Sequence, residues 1–235
     1  MKKNKTIVIQ HLSRDFTVDI EYSRRKRLSL AVYPSQRIVA KVPLGVSDRQ
    51  LNLFLTKRSA WMDKHIRHFK AHPPEPLKCY VENEQHRYLG ELYALKLTRT
   101  VKPAVHLGNE ILTVSLKHPE DPAAVKVVLD RWYRGEAVRV LTPWFHEKVA
   151  SLAYLHLPKP SLRFYRMKRR WGSCTVNRVI TLNTELIKHA PESIEYVIIH
   201  ELCHLKVPAH NKTFYALLES ILPDWKQHRK MLNGK

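Results

Sequence analysis

The sequence predicts an α+β protein. Its N-terminal half is β-rich with one amphipathic helix, and its C-terminal half combines a small sheet with a helix that carries an HExxH string. Apolar residues alternate over much of residues 16–117, which is typical of half-buried strands. After residue 119 they recur at helical spacing, and residues 200–204 read His-Glu-Leu-Cys-His within such a segment. We expect a β-rich region over residues 1–118 and a second region over residues 119–235.

Alternation predicts a pair of strands between Phe16 and Pro43, joined by a turn at residues 34–36. The apolar residues that share one face of this pair are Leu28, Leu30, Val32, Ile38, Ala40 and Val42. Residues 78–117 return to short strands, with turn signals at residues 89–90 and 108–109. The N-terminal half is therefore predicted to be mostly sheet.

One helix is predicted between these two groups of strands. Ser47 has the character of an N-cap, and Gln50 follows at the spacing of a capping box. The amphipathic pattern continues to about Phe69. Three prolines then end the helix, at positions 73, 74 and 76.

The C-terminal half begins with a long helical segment that runs with breaks from residue 122 toward Leu155. Residues 161–185 alternate again and predict strands around a turn near residues 174–177. A further helix begins at Pro191, since proline fits the first helical turn, and Pro208 stops it. A last helix is predicted over residues 210–222.

Composition excludes several classes of protein. Three cysteines among 235 residues are too few for a disulfide framework, and 44% hydrophobic residues suffice for a globular core. No stretch approaches the about 18 apolar residues that a membrane helix requires. We expect a soluble, cytoplasmic protein with no membrane partner, and the composition does not predict an oligomeric state.

The net charge of +20 favours polyanionic partners. The basic residues form two dense clusters, at residues 24–27 and 166–170. These clusters are interpreted either as a solvated surface or as contacts for nucleic acid, nucleotides or an acidic substrate. No zinc finger, RNA-recognition signature or glycine-rich phosphate loop accompanies them, so charge alone does not decide.

The HExxH string carries the chemistry. His200 and His204 lie four residues apart, so on a helix both imidazoles face the same side and can bind one metal ion. Glu201 is placed to reach a metal-bound water. Chance would give only about 0.05 such strings in this His-rich chain. The neighbouring apolar residues indicate a buried helix, and a metal ion would explain histidines and a carboxylate there.

A third ligand is predicted at His210, because Pro208 breaks the helix and lets the chain turn back. Three histidines plus water are the open arrangement of catalytic zinc. Cys203 is an alternative ligand, but it projects away from the face of the two helical histidines and fits a core position better.

These motifs resemble the YgjP-like metallopeptidase family, whose zinc site is related to those of SprT-like and WLM proteases. Residues 169–175 are similar to its RWGSC signature, residues 196–205 to its YVxxHELxHL block, and His210 with Phe214 to its HxxxF. The resemblance implies a zincin-like metallopeptidase region over residues 119–235. It also implies zinc ligation by the three histidines and a catalytic base at Glu201.

The leading interpretation is a zinc-dependent metallopeptidase that acts on a peptide or protein, with Glu201 as general base. Candidate substrate-binding residues near the motif are Arg169, Arg170, Asn183 and Tyr215. The strand over residues 178–183 is a candidate sheet edge that would hold an extended peptide, although it is equally interpreted as a wall of the core.

Two alternatives stay open. The same metal could serve a nucleotide or phosphoanhydride hydrolase whose substrate is recruited by the basic surface. Alternatively, the protein is a nucleic-acid-associated protease, or a nucleic-acid-binding protein without catalysis.

Overall fold

The computed structural model describes residues 5–12, 14–71 and 77–233, so the prolines predicted to end the first helix lie outside the described residues. The α+β prediction is confirmed. The chain divides into two compact units, Met1–Leu77 and Lys78–Lys235. The change from sheet to helix at residue 118 lies inside the second unit, where the strands before it and the helix after it share one hydrophobic core.

The N-terminal unit contains one four-stranded sheet and two helices. The strands are β1 (Lys5–His11), β2 (Arg14–Ser23), β3 (Ser29–Val32) and β4 (Ile38–Pro43), and the helices are α1 (Asp48–Thr56) and α2 (Ser59–Ala71). The sheet order is β1-β2-β4-β3, with β2 and β4 parallel and both outer pairs antiparallel. Apolar side chains of the sheet and of both helices form the core of this unit.

The single helix predicted from Ser47 to Phe69 is divided in two. Its start is confirmed, since Ser47 and Gln50 form the capping box. The break follows Thr56, where the hydroxyl of Ser59 donates a hydrogen bond to the Thr56 carbonyl at 2.8 Å. A serine side chain that competes for a backbone carbonyl in this way ends one helix, and the next begins at once.

The C-terminal unit begins with a sheet of the same topology. Its strands are β5 (Gln85–Tyr88), β6 (Glu91–Arg99), β7 (Ala104–Leu107) and β8 (Ile111–Leu116), in the order β5-β6-β8-β7. Here too the central pair is parallel and the outer pairs are antiparallel. The sequence shows no internal repeat, so this repetition is one of topology alone.

A long helix, α3 (Pro122–Ser151), follows this sheet. Asp121 caps it by accepting a hydrogen bond from the backbone N–H of Ala123, and proline occupies its first position. Residues spaced four apart form its buried stripe, namely Val125, Leu129, Tyr133, Ala137, Leu141 and Phe145. The stripe packs α3 into the core of the C-terminal unit.

The rest of the unit forms the candidate site. It contains strands β9 (Ser161–Tyr165), β10 (Gly172–Cys174) and β11 (Val179–Asn183), then helices α4 (Pro191–Cys203), α5 (Lys212–Ile221) and α6 (Trp225–Leu232). The sheet order is β10-β11-β9, so of the two interpretations of residues 178–183 the sheet edge is wrong, and the buried Ile180 and Leu182 agree with a wall of the core. That segment is the central strand, because β9 pairs with its other side, and β10 forms an edge instead.

Helix α6 was not predicted from the sequence. Only Trp225, His228 and Leu232 of its eight residues are buried, so its apolar stripe is short and interrupted by charged residues. None of the described helices is long and apolar enough to cross a membrane.

Candidate metal centre

Helix α4 holds the HExxH string in the core. It begins at Pro191, and most of its residues between Ile194 and Cys203 are buried. Burial of these apolar side chains fixes the rotation of the helix, because any other rotation would expose them. His200 and His204 consequently lie together on the one side of α4 that borders a cavity.

The three predicted histidines converge. The Nε2 atom of His210 lies 3.0 Å from Nε2 of His200 and 3.0 Å from Nε2 of His204. Bonds of about 2.0–2.1 Å to one tetrahedral zinc ion would place such nitrogens about 3.3 Å apart. Among the described residues these three histidines are the one group of His, Cys, Asp and Glu side chains arranged closely enough to hold a metal ion. The spacing therefore fits a three-histidine site.

Hydrogen bonding alone does not explain this arrangement. Nδ1 of His204 lies 3.2 Å from the carbonyl oxygen of Val207, and since a carbonyl only accepts, Nδ1 carries the proton and Nε2 of the neutral ring carries a lone pair. Nε2 of His210 would then have to carry a proton and donate it to Nε2 of His204. The same single proton would also have to bridge the 3.0 Å to Nε2 of His200. A cation between the rings would satisfy all three lone pairs, and neutral imidazoles are a donor set that Zn²⁺ favours.

A buried aromatic ring supports the three imidazoles. Phe214 of α5 is fully buried, and its ring centroid lies 4.9 Å from that of His200, 4.6 Å from that of His204 and 4.8 Å from that of His210. Asn211 starts α5 at the correct place, because its side-chain oxygen accepts a hydrogen bond from the N–H of Phe214 at 3.0 Å. Phe214 thus limits the positions that the imidazole rings can occupy.

Glu201 lies beside the triad in the same cavity, although its side chain is only 5% exposed. Its carboxylate packs against Gly172 of β10: a Cβ atom built on Gly172 would be 2.5 Å from Oε1 of Glu201 and 2.6 Å from its Cγ. Oε2 of Glu201 is buried without a hydrogen-bond partner among the described residues. A buried, unpartnered carboxylate oxygen is costly unless it faces a ligand or water.

Burial shifts the titration of these groups strongly. It lowers the pKa of His200 to about 3, with His204, His210 and Arg229 acting in the same direction. Burial also lowers the pKa of His204. The same cause raises the pKa of Glu201 to about 8, and the positive charge of Arg170 opposes this rise. The two helical imidazoles are therefore neutral near pH 7, as metal ligands must be.

The cavity has a volume of about 980 Å³. Of the four predicted substrate-binding residues, Arg169, Arg170 and Tyr215 line it together with the triad and Glu201, whereas Asn183 does not. Asn183 is 2% exposed, and its amide nitrogen donates to the carbonyls of Met167 and Arg170 at 2.8 and 2.9 Å. The structure therefore gives Asn183 a role in fixing the loop before β10, with no direct access to a substrate.

Four residues that border the site had no role assigned from the sequence, namely Gly172, Tyr196, Phe214 and Arg229. The first three belong to the motifs that resemble the family, but the tertiary contacts that give them a role appear only in the fold. The position of Tyr196 could have been predicted from the sequence, because Tyr196 precedes His200 by four residues and therefore lies on the same face of the helix. Cys203 is 1% exposed within the core, as predicted, and burial raises the pKa of its thiol to about 12.

An HExxH helix, a third histidine from the following segment and a buried glutamate in one cavity have the arrangement that is typical of metallohydrolases with a three-histidine site. Within that class, the chain belongs to the YgjP-like family: the family model described as YgjP-like, metallopeptidase domain, matches residues 26–235. Comparison with curated proteins gives no match. The predicted resemblance is thus confirmed. Membership implies a hydrolase of the metallopeptidase kind, a bound metal ion and peptide or protein substrates.

Proposed function

We propose that the protein is a zinc-dependent metallopeptidase in which His200, His204 and His210 hold Zn²⁺ and Glu201 is the general base. The observation that supports it most is the convergence of three ring nitrogens beside a buried carboxylate in one cavity. Zinc in such a site lowers the pKa of bound water from about 15.7 toward 7 and polarises the substrate carbonyl.

In this proposal Glu201 serves both proton transfers of peptide hydrolysis, and its burial in the cavity beside the triad supports that role. As general base it accepts a proton from the water that attacks the scissile carbonyl carbon. The C–N bond then breaks, and Glu201 donates that proton to the departing amine. The contact with Gly172 limits the rotamers of Glu201 and so keeps its carboxylate near the reacting atoms.

Strand β10 offers a place for an extended peptide. It lies at an edge of its sheet, pairs with β11 on one side only among the described residues, and its three residues line the cavity. A sheet edge presents unpaired backbone groups that can bind a substrate strand. The role that the sequence assigned to residues 178–183 is therefore better proposed for Gly172–Cys174.

The test is hydrolysis of casein-derived peptides by zinc-loaded protein, beside the Glu201→Gln variant. Glutamine has the shape of glutamate but does not accept the proton, so the rate should fall by at least about 100-fold while bound zinc is unchanged. Peptide cleavage by Glu201→Gln at the wild-type rate would contradict the proposed role.

A second candidate is a nucleotide or phosphoanhydride hydrolase that uses the same metal. One observation favours it: four arginines line the cavity, and guanidinium groups bind phosphate well. Nucleoside triphosphates are therefore assayed beside the peptides with the same zinc-loaded preparation. Release of phosphate or pyrophosphate without peptide cleavage would replace the peptidase proposal with this one.

A further inference from the structure

The cavity is lined by arginines that form no ion pair with the described residues. Arg169, Arg170, Arg178 and Arg229 all border it, and among the described residues that border it the buried Glu201 is the only acidic one. Within the described residues, none of the four arginines forms an ion pair or donates a side-chain hydrogen bond to an acidic group. Arg166, in the same basic cluster, differs in this respect, because it pairs with Asp130 at 3.1 Å and with Glu185 at 3.3 Å.

The fold fixes the backbone positions from which these arginines extend. Asn183 ties the backbone of Met167 and Arg170 to the end of β11, so the loop that carries Arg169 and Arg170 has a fixed anchor. Arg178 follows the β10–β11 turn, and Arg229 lies on α6 with its guanidinium 6.0 Å from the ring centroid of Trp225. Cations therefore lie before β10, after β10 and on the opposing helix.

Four unpaired guanidinium groups around one cavity create a positive potential that attracts carboxylates and repels lysine and arginine side chains. Because these guanidinium groups form no ion pair with an acidic side chain of the described residues, a substrate carboxylate has no internal ion pair to displace.

We infer that the cavity selects acidic peptide segments, in which aspartate or glutamate side chains flanking the scissile bond pair with Arg169, Arg170, Arg178 and Arg229. This inference rests on the proposed peptidase function and adds the substrate class to it. Because an extended peptide advances about 3.3 Å per residue, a substrate on the three-residue strand β10 would bring its flanking side chains to the arginines at either end.

The experiment compares two fluorogenic peptides of identical sequence except that glutamates on both sides of the scissile bond are replaced by glutamines. Zinc-loaded protein should cleave the glutamate peptide with a kcat/KM about 10-fold higher at low salt, and the difference should shrink as salt is raised. In Arg170→Gln/Arg229→Gln the ratio of kcat/KM for the glutamate peptide to that for the glutamine peptide should fall to about twofold or less. Arg163→Gln is the matched control: Arg163 is exposed on β9 outside the cavity, so the preference should be unchanged.

Binding of the same peptides to zinc-loaded Glu201→Gln, measured by fluorescence anisotropy, gives a readout that does not depend on turnover. The glutamate peptide should bind more tightly, again by a salt-sensitive margin. Equal binding and equal cleavage of both peptides would overturn the inference and leave the peptidase proposal standing. Nucleotide hydrolysis with neither peptide cleaved would overturn both. If Arg170→Gln/Arg229→Gln kept the full preference for the glutamate peptide, these arginines would not cause it, and the inference would be overturned.

Discussion

At the scale of single residues, the site depends on a position that has no side chain. Gly172 faces the carboxylate of Glu201, and the backbone of Gly172 is not in the left-handed region, so glycine is required there for space rather than for conformation. A methyl group at this position would overlap three atoms of Glu201. The absence of a side chain at Gly172 is therefore a condition for the observed orientation of Glu201.

Gly172→Ala should displace the Glu201 carboxylate while leaving the three histidines in place. We expect zinc to be retained and peptidase activity to fall by about 100-fold or more, since misplacement by 1 Å can cost that much. Metal content and kcat/KM are measured on the same sample. Gly45→Ala is the control, because nothing lies within 4 Å of its added methyl group. Full activity in Gly172→Ala would contradict the proposed role of this contact.

The triad was predictable because its ligands follow a local rule. His200 and His204 are one helical turn apart, and a proline before His210 marks the point where the chain reverses. Phe214 and Gly172 follow no local rule, since their importance arises from atoms that are distant in sequence. Asn183 shows the opposite error: it is close to the motif in sequence, yet its side chain is fully used by the loop backbone.

At the scale of elements, the spacing of apolar residues predicted the long helices and the strand pairs but not the residues at which they begin and end. The pattern over residues 47–69 is continuous, yet the structure divides it into α1 and α2 at the point where the Ser59 hydroxyl bonds to the Thr56 carbonyl. Helix α6 was missed because three buried residues among eight give little periodicity. Strand order was not predictable either, because β9 reaches β11 by a parallel pairing between segments 18 residues apart at their starts.

Helix α3 contains a glycine, Gly135, at a position where the helix does not require one. Gly135 is exposed in the helix interior, and an added methyl group would meet nothing within 4 Å. Gly135→Ala should raise the free energy of unfolding by up to about 1 kcal/mol, because alanine loses less backbone entropy in a helix. Denaturant titration followed by circular dichroism measures the change.

A matched glycine distinguishes this effect from a general response to alanine. Gly90 has a φ of +91°, and its added Cβ would lie 2.9 Å from the Cα of Ala190. Gly90→Ala should therefore destabilise the protein. Destabilisation by Gly135→Ala as well would mean that α3 is not packed as described.

At the scale of the whole molecule, the two compact units have separate hydrophobic cores. The core of the N-terminal unit uses residues between positions 7 and 66, and that of the C-terminal unit uses residues between positions 80 and 232. The site and every residue proposed to act in it belong to the second unit. The location of the site follows from the HExxH string. The boundary between the units at residue 77 depends on which strands share a core, and the spacing of apolar residues alone does not predict that.

We expect the fragment of residues 78–235 to fold alone and to bind zinc as the full chain does, because its core and its metal ligands are all internal. A cooperative thermal transition and an unchanged zinc dissociation constant, measured by competition with a chelator, would show this. A fragment that is unfolded, or that binds zinc much more weakly, would contradict it.

Nucleic-acid binding through residues 24–27 and a cytoplasmic location stay predictions. An affinity for DNA or RNA that falls steeply with salt would support nucleic-acid binding.

The most direct test of the central claim is the zinc content of purified protein after loading and dialysis, compared among wild type, His200→Ala, His204→Ala and Glu201→Gln. Three convergent ligands predict about one zinc ion per wild-type chain, loss of most of it in either histidine variant, and full retention in Glu201→Gln. Equal and negligible zinc in all four proteins would contradict a metal centre at this site.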